Sequence, residues 1–247
     1  FLVLSWPPSG FPLLIFGAFV PLFLIVKDLQ KKRFAFVYSF LVFALWNIFT
    51  TYWIYNASLF GAVAAVCVNS ILMASVFTLF ILLKSKFNDR RAWWALISFW
   101  LSFEYLHLNW DLSWPWLTLG NVFAHYPQFI QWYEYTGTLG GSLWILLANI
   151  ILYHSVKNKS KYVLAIAVIT LPILFSFLIK TNNKTGKVVE IVVVQPNIDP
   201  YFEKFDDLTS VQQLEKFIGL AESKLDSTTD YLIGPETAIA VSYTHLT

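Results

Sequence analysis

The apolar residues of this chain fall into long, almost uninterrupted runs that short polar segments separate. A helix needs about 20 apolar residues to cross the ~30 Å hydrocarbon core of a bilayer. Six runs come close to that length, at residues 11–26, 34–55, 60–83, 92–108, 137–153 and 162–179. They are apolar on every side, which favours membrane spans over amphipathic surface helices. Residues 1–6 are typical of the end of one more span, so the pattern predicts a polytopic α-helical membrane bundle over residues 1–180.

Composition narrows the class of protein. The chain is 57% apolar and 13% charged, whereas an average soluble domain is about 45–50% apolar and about 25% charged. Intrinsic disorder requires low hydrophobicity and high charge, and a disulfide scaffold requires more than the single cysteine present, Cys67. The net charge of +2 offers no basic surface for nucleic acid. A soluble protein would have to cover six apolar helices, and this chain has nothing to cover them with, so an integral membrane protein is predicted.

Acidic residues divide the chain near residue 180. Residues 1–179 contain only five of them, and the other ten of the fifteen follow. The five are Asp28, Asp89, Glu104, Asp111 and Glu134. This distribution predicts a membrane domain over residues 1–180 and a water-soluble domain over residues 187–247.

Basic residues predict the orientation of the spans. All eleven Lys and Arg residues before position 180 lie in alternate connections, at residues 27–33, 84–91 and 154–161. The connections at 55–60 and 109–136 contain none. Because short cytoplasmic loops are enriched in Lys and Arg, we expect the basic loops to be cytoplasmic. The loop at 109–136 and the soluble domain are then extracytoplasmic.

The connection at residues 105–135 is long and aromatic, and prolines interrupt helix within it. It contains Trp110, Trp114, Trp116 and Trp132. One interpretation is an aromatic belt at the membrane interface, and the other is a lipid-facing gate or re-entrant segment beside a site. Glu104 and Glu134 flank the connection, and a carboxylate in or near the membrane is a candidate site residue, although both could simply reach interfacial water.

Cysteine and histidine offer little chemistry within the apolar runs. Cys67 has no His or Lys near it in the sequence to stabilise a thiolate, so we expect it to have only a packing role. His107, His125 and His154 lack the spacing of metal ligands. The sequence therefore predicts no metal site and no cofactor.

The soluble part begins with a strand–helix–strand pattern. Residues 188–194 form a β-branched run whose two apolar faces predict a buried central strand. Residues 207–225 show the apolar stripe of a helix, and residues 231–233 predict a second strand. Glu236 follows this strand almost at once, and functional groups gather at the carboxyl ends of strands in α/β sheets. Glu236 is therefore a candidate catalytic carboxylate.

Four segments in order give the chain a resemblance to a known family. They are Trp6-Pro7-Pro8-Ser9-Gly10, the stretch from Glu104 to Trp114-Pro115-Trp116-Leu117-Thr118-Leu119-Gly120, Val193-Val194-Gln195-Pro196-Asn197-Ile198, and Gly234-Pro235-Glu236-Thr237-Ala238-Ile239. The chain resembles the N-terminal half of bacterial apolipoprotein N-acyltransferases over nearly all of residues 1–240. Two positions depart from the family pattern: Gly234 stands where an aromatic residue is common, and His107 where an arginine is.

The resemblance implies a multi-pass protein of the bacterial inner membrane with an extracytoplasmic nitrilase-like domain, an αββα sandwich. A Glu–Lys–Cys triad of that domain takes an acyl chain from phospholipid as a thioester and passes it to the diacylglyceryl-cysteine of a lipoprotein. Glu236 matches the Glu of the triad, a general base, and Trp116 and Glu104 are expected to help bind substrate. The Lys and the Cys find no match, so we expect a truncated domain and a catalytically incomplete chain.

Two other functions stay open at this point. A membrane-anchored amidase of the same carbon–nitrogen hydrolase class would share Glu236, and only the membrane motifs argue against it. A non-catalytic transporter or scaffold is the other alternative. Transporters tend to place charged or broken helices at mid-membrane, and the runs lack charges at their centres.

Overall fold

The computed structural model describes residues 1–27, 33–56, 58–179, 186–199 and 209–235. The chain divides into two compact units, Phe1–Thr181 and Asn182–Thr247. The first unit is helical, and the second contains two strands and a helix.

Each of the six apolar runs coincides with helical structure in the first unit. The helices are α1 (Leu2–Ser5), α2 (Val20–Lys27), α3 (Arg33–Thr50), α4 (Leu59–Lys84), α5 (Asp89–Leu108), α6 (Tyr133–Lys157) and α7 (Lys161–Leu178). Among the described residues, three segments are long and apolar enough to cross a membrane by themselves: Leu59–Lys84, Tyr133–Val156 and Lys161–Leu178. Pro12–Val26 and Phe34–Thr50 are apolar but shorter. The helical unit is therefore that of a membrane protein.

Side-chain caps fix where two of these helices begin. The Ser58 hydroxyl accepts a hydrogen bond from the Gly61 amide at 3.1 Å at the start of α4. Asn88 Oδ1 accepts one from the Arg91 amide at 3.0 Å at the start of α5. Asn and Ser are favoured at this position because the first amides of a helix lack partners within the helix. The cap at Asn88 explains why α5 begins at Asp89, before the apolar run itself.

The helix of the first apolar run is interrupted, and the Asn149 side chain forms hydrogen bonds with backbone groups at the interruption. A 3₁₀ turn at Pro12–Gly17 precedes α2. The Asn149 side chain of α6 accepts a hydrogen bond from the Phe19 amide at 2.9 Å and donates one to the Ile15 carbonyl at 2.8 Å. Phe19 and Ile15 are the two backbone groups that an unbroken α-helix would join directly. Irregular backbone at membrane depth is tolerated where neighbouring protein groups satisfy it, and Asn149 does so here.

Aromatic side chains fill the interior of the helical unit. Phe23 of α2 stacks on Phe77 of α4 with ring centroids 5.7 Å apart, and Phe43 of α3 meets Trp100 of α5 at 5.5 Å. Helices in lipid gain little from the hydrophobic effect, because lipid tails are as apolar as the side chains. Close packing of rings therefore holds α2 to α5 together.

The second unit contains a parallel βαβ arrangement. Strands β1 (Ile191–Val193) and β2 (Tyr231–Ile233) pair in parallel, with Val192 opposite Leu232. Helix α8 (Ser210–Glu222) connects them and starts with a capping box between Thr209 and Gln212. The predicted strand–helix–strand order is present. The side chains of β1 and β2 are half-buried or exposed, however, because the described part of this unit holds too little structure to cover both faces of the pair.

Candidate functional site

The connection between α5 and α6 folds back into the helical unit. It forms three 3₁₀ turns, Pro115–Leu117, Leu119–Phe123 and Pro127–Phe129. Leu119 and Phe123 are fully buried. The Phe123 ring stacks on Trp144 of α6 at 5.3 Å and meets Phe16 at 5.7 Å. The middle of this aromatic loop is thus part of the packed interior.

Glu104 holds this loop in place. Its carboxyl group is buried near the end of α5, with 2% of the residue exposed. Oε1 accepts hydrogen bonds from the Trp100 indole at 2.9 Å and from the Leu119 amide at 2.8 Å. Oε2 is buried and has no hydrogen-bond partner among the described residues. Glu104 therefore joins α5 to the loop and keeps one buried oxygen available.

A second set of contacts fixes the loop to α6 at Gly120. The Gly120 amide donates to the Ser142 hydroxyl at 3.0 Å, and the Gly120 carbonyl accepts from the Tyr133 phenol at 3.1 Å. A Cβ atom at residue 120 would collide with the carbonyl oxygen of Thr138. Only glycine permits this close approach of loop to helix.

Trp116 lies at the surface beside the buried part of the loop. It is 46% exposed, and its ring meets Trp114 at 4.9 Å and Trp53 at 5.5 Å. Trp53 belongs to the 3₁₀ turn Tyr52–Asn56 between α3 and α4. The aromatic surface thus combines two connections that contain no Lys or Arg. This position suits contact with lipid near the interface.

A chain of buried hydrogen bonds runs from the loop into the helices. The Trp110 indole donates to His107 Nδ1 at 2.9 Å, His107 Nε2 lies 2.9 Å from Asn69 Oδ1, and Asn69 Nδ2 donates to Asn47 Oδ1 at 2.7 Å. Asn47 in turn donates to the Phe43 carbonyl at 2.8 Å. Indole is only a donor, so Nδ1 must accept and Nε2 carries the ring proton. These hydrogen bonds therefore join α5, α4 and α3, and each group donates to the next one along the series.

A cavity of about 370 Å³ lies between α4 and the loop. Asn69, His107, Asp111, Ser113 and Trp114 contribute its polar and aromatic lining, and small side chains of α4 complete it. Apolar walls with a few convergent polar groups are typical of ligand pockets. With Trp116 adjoining Trp114, this cavity and the loop form the candidate site of the helical unit.

The predicted site residues have different positions. Glu104 and Trp116 both belong to the loop region, one buried and one exposed, whereas Glu236 lies outside the described residues. Glu134 is exposed, and Cys67 is exposed on α4. The hydrogen-bond chain through Asn69 and His107 was not predicted. Its signal in the sequence is an asparagine within an otherwise apolar run.

Two comparisons place this arrangement among known proteins. A model of the apolipoprotein N-acyltransferase N-terminal domain matches residues 1–151. An apolipoprotein N-acyltransferase of Chlorobaculum tepidum is 27% identical over 246 residues, which cover 95% of this chain and 46% of that protein. The chain thus spans about half the length of that relative, and the loop, Glu104 and Trp116 all lie within the matched domain. Because the domain match covers more than half of the chain, the chain belongs to the apolipoprotein N-acyltransferase family.

Proposed function

We propose that this chain serves phospholipid-dependent N-acylation of lipoproteins. An acyl chain passes from a phospholipid to a thioester on the enzyme, and then to the α-amine of the diacylglyceryl-cysteine of a lipoprotein. The observation that carries the proposal is the family match over residues 1–151, within which an anchored aromatic loop borders a partly polar cavity. An enzyme that takes its substrate from a bilayer needs such an apolar surface next to polar groups.

In this proposal the membrane unit positions the lipid. Trp116 contacts the acyl donor at the interface, and Glu104 acts on substrate binding through the loop that it holds. Two observations support these roles: Trp116 is half-exposed, and Glu104 accepts a hydrogen bond from the Leu119 amide. The alternate basic connections support an inner-membrane orientation in which the loop and residues 187–247 are extracytoplasmic.

Residues 187–247 are proposed to begin the nitrilase-like αββα domain. The parallel pairing of β1 and β2 across α8 supports this, because a parallel pair with a helical crossover is the unit of α/β sheets. Glu236 follows the carboxyl end of β2 by three residues. There it acts as the general base that takes a proton from the thiol and gives it to the oxygen of the departing lysophospholipid. It later takes a proton from the attacking amine and returns it to the departing thiolate. Cys67, exposed on the membrane helix α4, carries no acyl group.

The experiment supplies phospholipid with a labelled acyl chain and a diacylated lipopeptide to membranes that contain the complete gene product. We expect labelled triacylated peptide, and we expect Glu236→Gln to abolish its formation while the protein still accumulates. Release of ammonia from amide substrates without acyl transfer would indicate the amidase instead. Label on Cys67 would contradict the assigned chemistry.

A further inference from the structure

A groove lies near the N-terminus of α5, at the opposite end of the helix from Glu104. It has a volume of about 370 Å³ and lies between the start of α5 and the end of α6. Asp89, Arg90 and His154 form its mouth. Neither the family match nor the proposed acyl transfer gives this groove a role.

The wall of the groove is apolar and follows one stripe of each helix. Trp93 and Ile97 of α5 face it, one and two turns beyond the mouth, and Ile150 and Leu147 of α6 do so from the other side. Seven residues of helix rise about 10 Å, so the groove extends about that far from its charged mouth. A charged mouth and an apolar wall fit an amphiphile better than a water-soluble ion.

The charge at the mouth of the groove determines which headgroup charge is favoured. Residues 84–91 contain four basic residues and one acidic residue, Asp89. The carboxylate of Asp89 lies 4.0 Å from the Lys84 ammonium, which also stacks on the Trp93 ring at 4.4 Å. The connection that follows His154 adds three lysines and no acid. The surroundings of the groove are therefore strongly cationic, and Arg90 suits a phosphate because its guanidinium binds oxygen pairs in a planar fork.

We propose that this groove binds an anionic phospholipid, with its phosphate at Arg90 and the first part of an acyl chain along Ile97 and Leu147. Basic pockets between transmembrane helices are known to hold anionic headgroups at the cytoplasmic side, which is the side that the positive-inside rule gives these loops. The site is separate from the acyl donor's, since it lies at the opposite end of α5.

The chain itself offers a matched control for the test. Arg90 lines the groove, whereas the neighbouring Arg91 is equally charged and exposed but does not line it. The chain is purified in a non-ionic detergent with equal amounts of phosphatidylglycerol and phosphatidylcholine, and bound lipid is counted by native mass spectrometry. We expect retention of phosphatidylglycerol in preference to phosphatidylcholine.

Arg90→Gln should weaken phosphatidylglycerol binding about fivefold, the effect of one basic residue near a membrane surface, and Arg91→Gln should change it less than twofold. Leu147→Trp, which fills the groove without changing charge, should also reduce retention. Unfolding temperatures of the arginine variants should match the parent, because both residues are exposed. Equal losses in the two arginine variants, or equal retention of the two lipids by the parent, would overturn the proposal.

Discussion

The amide nitrogen of Leu119 lies 2.8 Å from Oε1 of Glu104, although fifteen residues separate the two along the chain. The contact joins the end of α5 to the buried part of the aromatic loop. The same oxygen accepts the Trp100 indole, so one carboxyl group satisfies two buried donors. Glu104 is therefore one of two anchors of the loop, and the contacts of Gly120 with α6 are the other.

Replacing Glu104 by alanine should destabilise the helical unit. The Leu119 amide and the Trp100 indole would lose their acceptor, at about 1–3 kcal/mol for each unsatisfied buried group. Glu104→Gln keeps an acceptor oxygen and should recover most of the loss. Thermal unfolding in detergent measures both variants, and an alanine variant as stable as the parent would contradict the structural role. A Gln variant that is stable but slow in acyl loading would indicate that the charge itself acts on substrate.

Gly120→Ala should also be destabilising, since the new methyl group would collide with the Thr138 carbonyl. Overpacking of this kind costs about 1–3 kcal/mol. Gly17→Ala is the control, because nothing lies within 4 Å of a Cβ there. We expect a lowered unfolding temperature for Gly120→Ala and not for Gly17→Ala. Equal unfolding temperatures of the two variants would show that the loop shifts to accommodate the methyl group at little cost.

Asn149→Leu tests whether the Asn149 side chain stabilises the interrupted helix of the first apolar run. The substitution removes the partner of the Phe19 amide, and a buried donor left unpaired costs about 1–3 kcal/mol; the Ile15 carbonyl loses one of its two donors and keeps the Ala18 amide. Asn109→Leu, at an exposed position after α5, should have little effect. The measurement is the yield of monodisperse protein in detergent and its unfolding temperature. Equal stability of the two variants would mean that the break is satisfied in another way.

Trp116→Ala should slow acyl loading in the complete gene product without changing its stability. The rings of Trp114 and Trp53 are those that contact Trp116 in the described part of the chain, and about half of its surface is exposed. Tyr162→Ala, at the start of α7 and 42% exposed, controls for the loss of an exposed aromatic side chain. The rate of thioester formation from labelled phospholipid decides. Unchanged loading would leave Trp116 as a member of an aromatic belt.

Cysteine labelling tests the orientation. In a Cys67→Ala background, Ser227→Cys should react with a membrane-impermeant maleimide from the extracytoplasmic side, because it follows the last predicted span. Lys86→Cys should react only after the membrane is permeabilised, since it lies in a basic loop that is expected to be cytoplasmic. The reverse pattern would invert the topology, and with it the proposed location of the soluble domain.

The helices were predictable because lipid imposes a simple rule on length and hydrophobicity. The run predicted at 60–83 is Leu59–Lys84 in the structure, and that at 162–179 is Lys161–Leu178. The run predicted to start at residue 137 starts earlier, at Tyr133, and Gly137 is the point where its backbone leaves the helical conformation, with φ of 64°. Glycine adopts such angles without strain, so the apolar pattern located the break but not the turn before it.

The contacts of the candidate site were less accessible to sequence reasoning. Glu104 stands out as a carboxylate near the end of an apolar run, but its partner in the loop is a backbone amide, which has no signature in the sequence. Asn47, Asn69 and Asn149 do have one, because each interrupts an apolar run and a polar group in such a run needs a partner. Which partner each finds depends on how the helices pack.

The one-way order of the bonds from Trp110 to Phe43 has a consequence for the ion barrier. Hopping of a proton along hydrogen bonds requires groups that take up one proton while releasing another. An indole and two asparagine amides do not exchange protons in this way, and His107 Nδ1 already accepts from an indole that keeps its own proton. The polar path through α5, α4 and α3 therefore does not conduct protons. The bundle can bury these polar side chains without creating a proton leak.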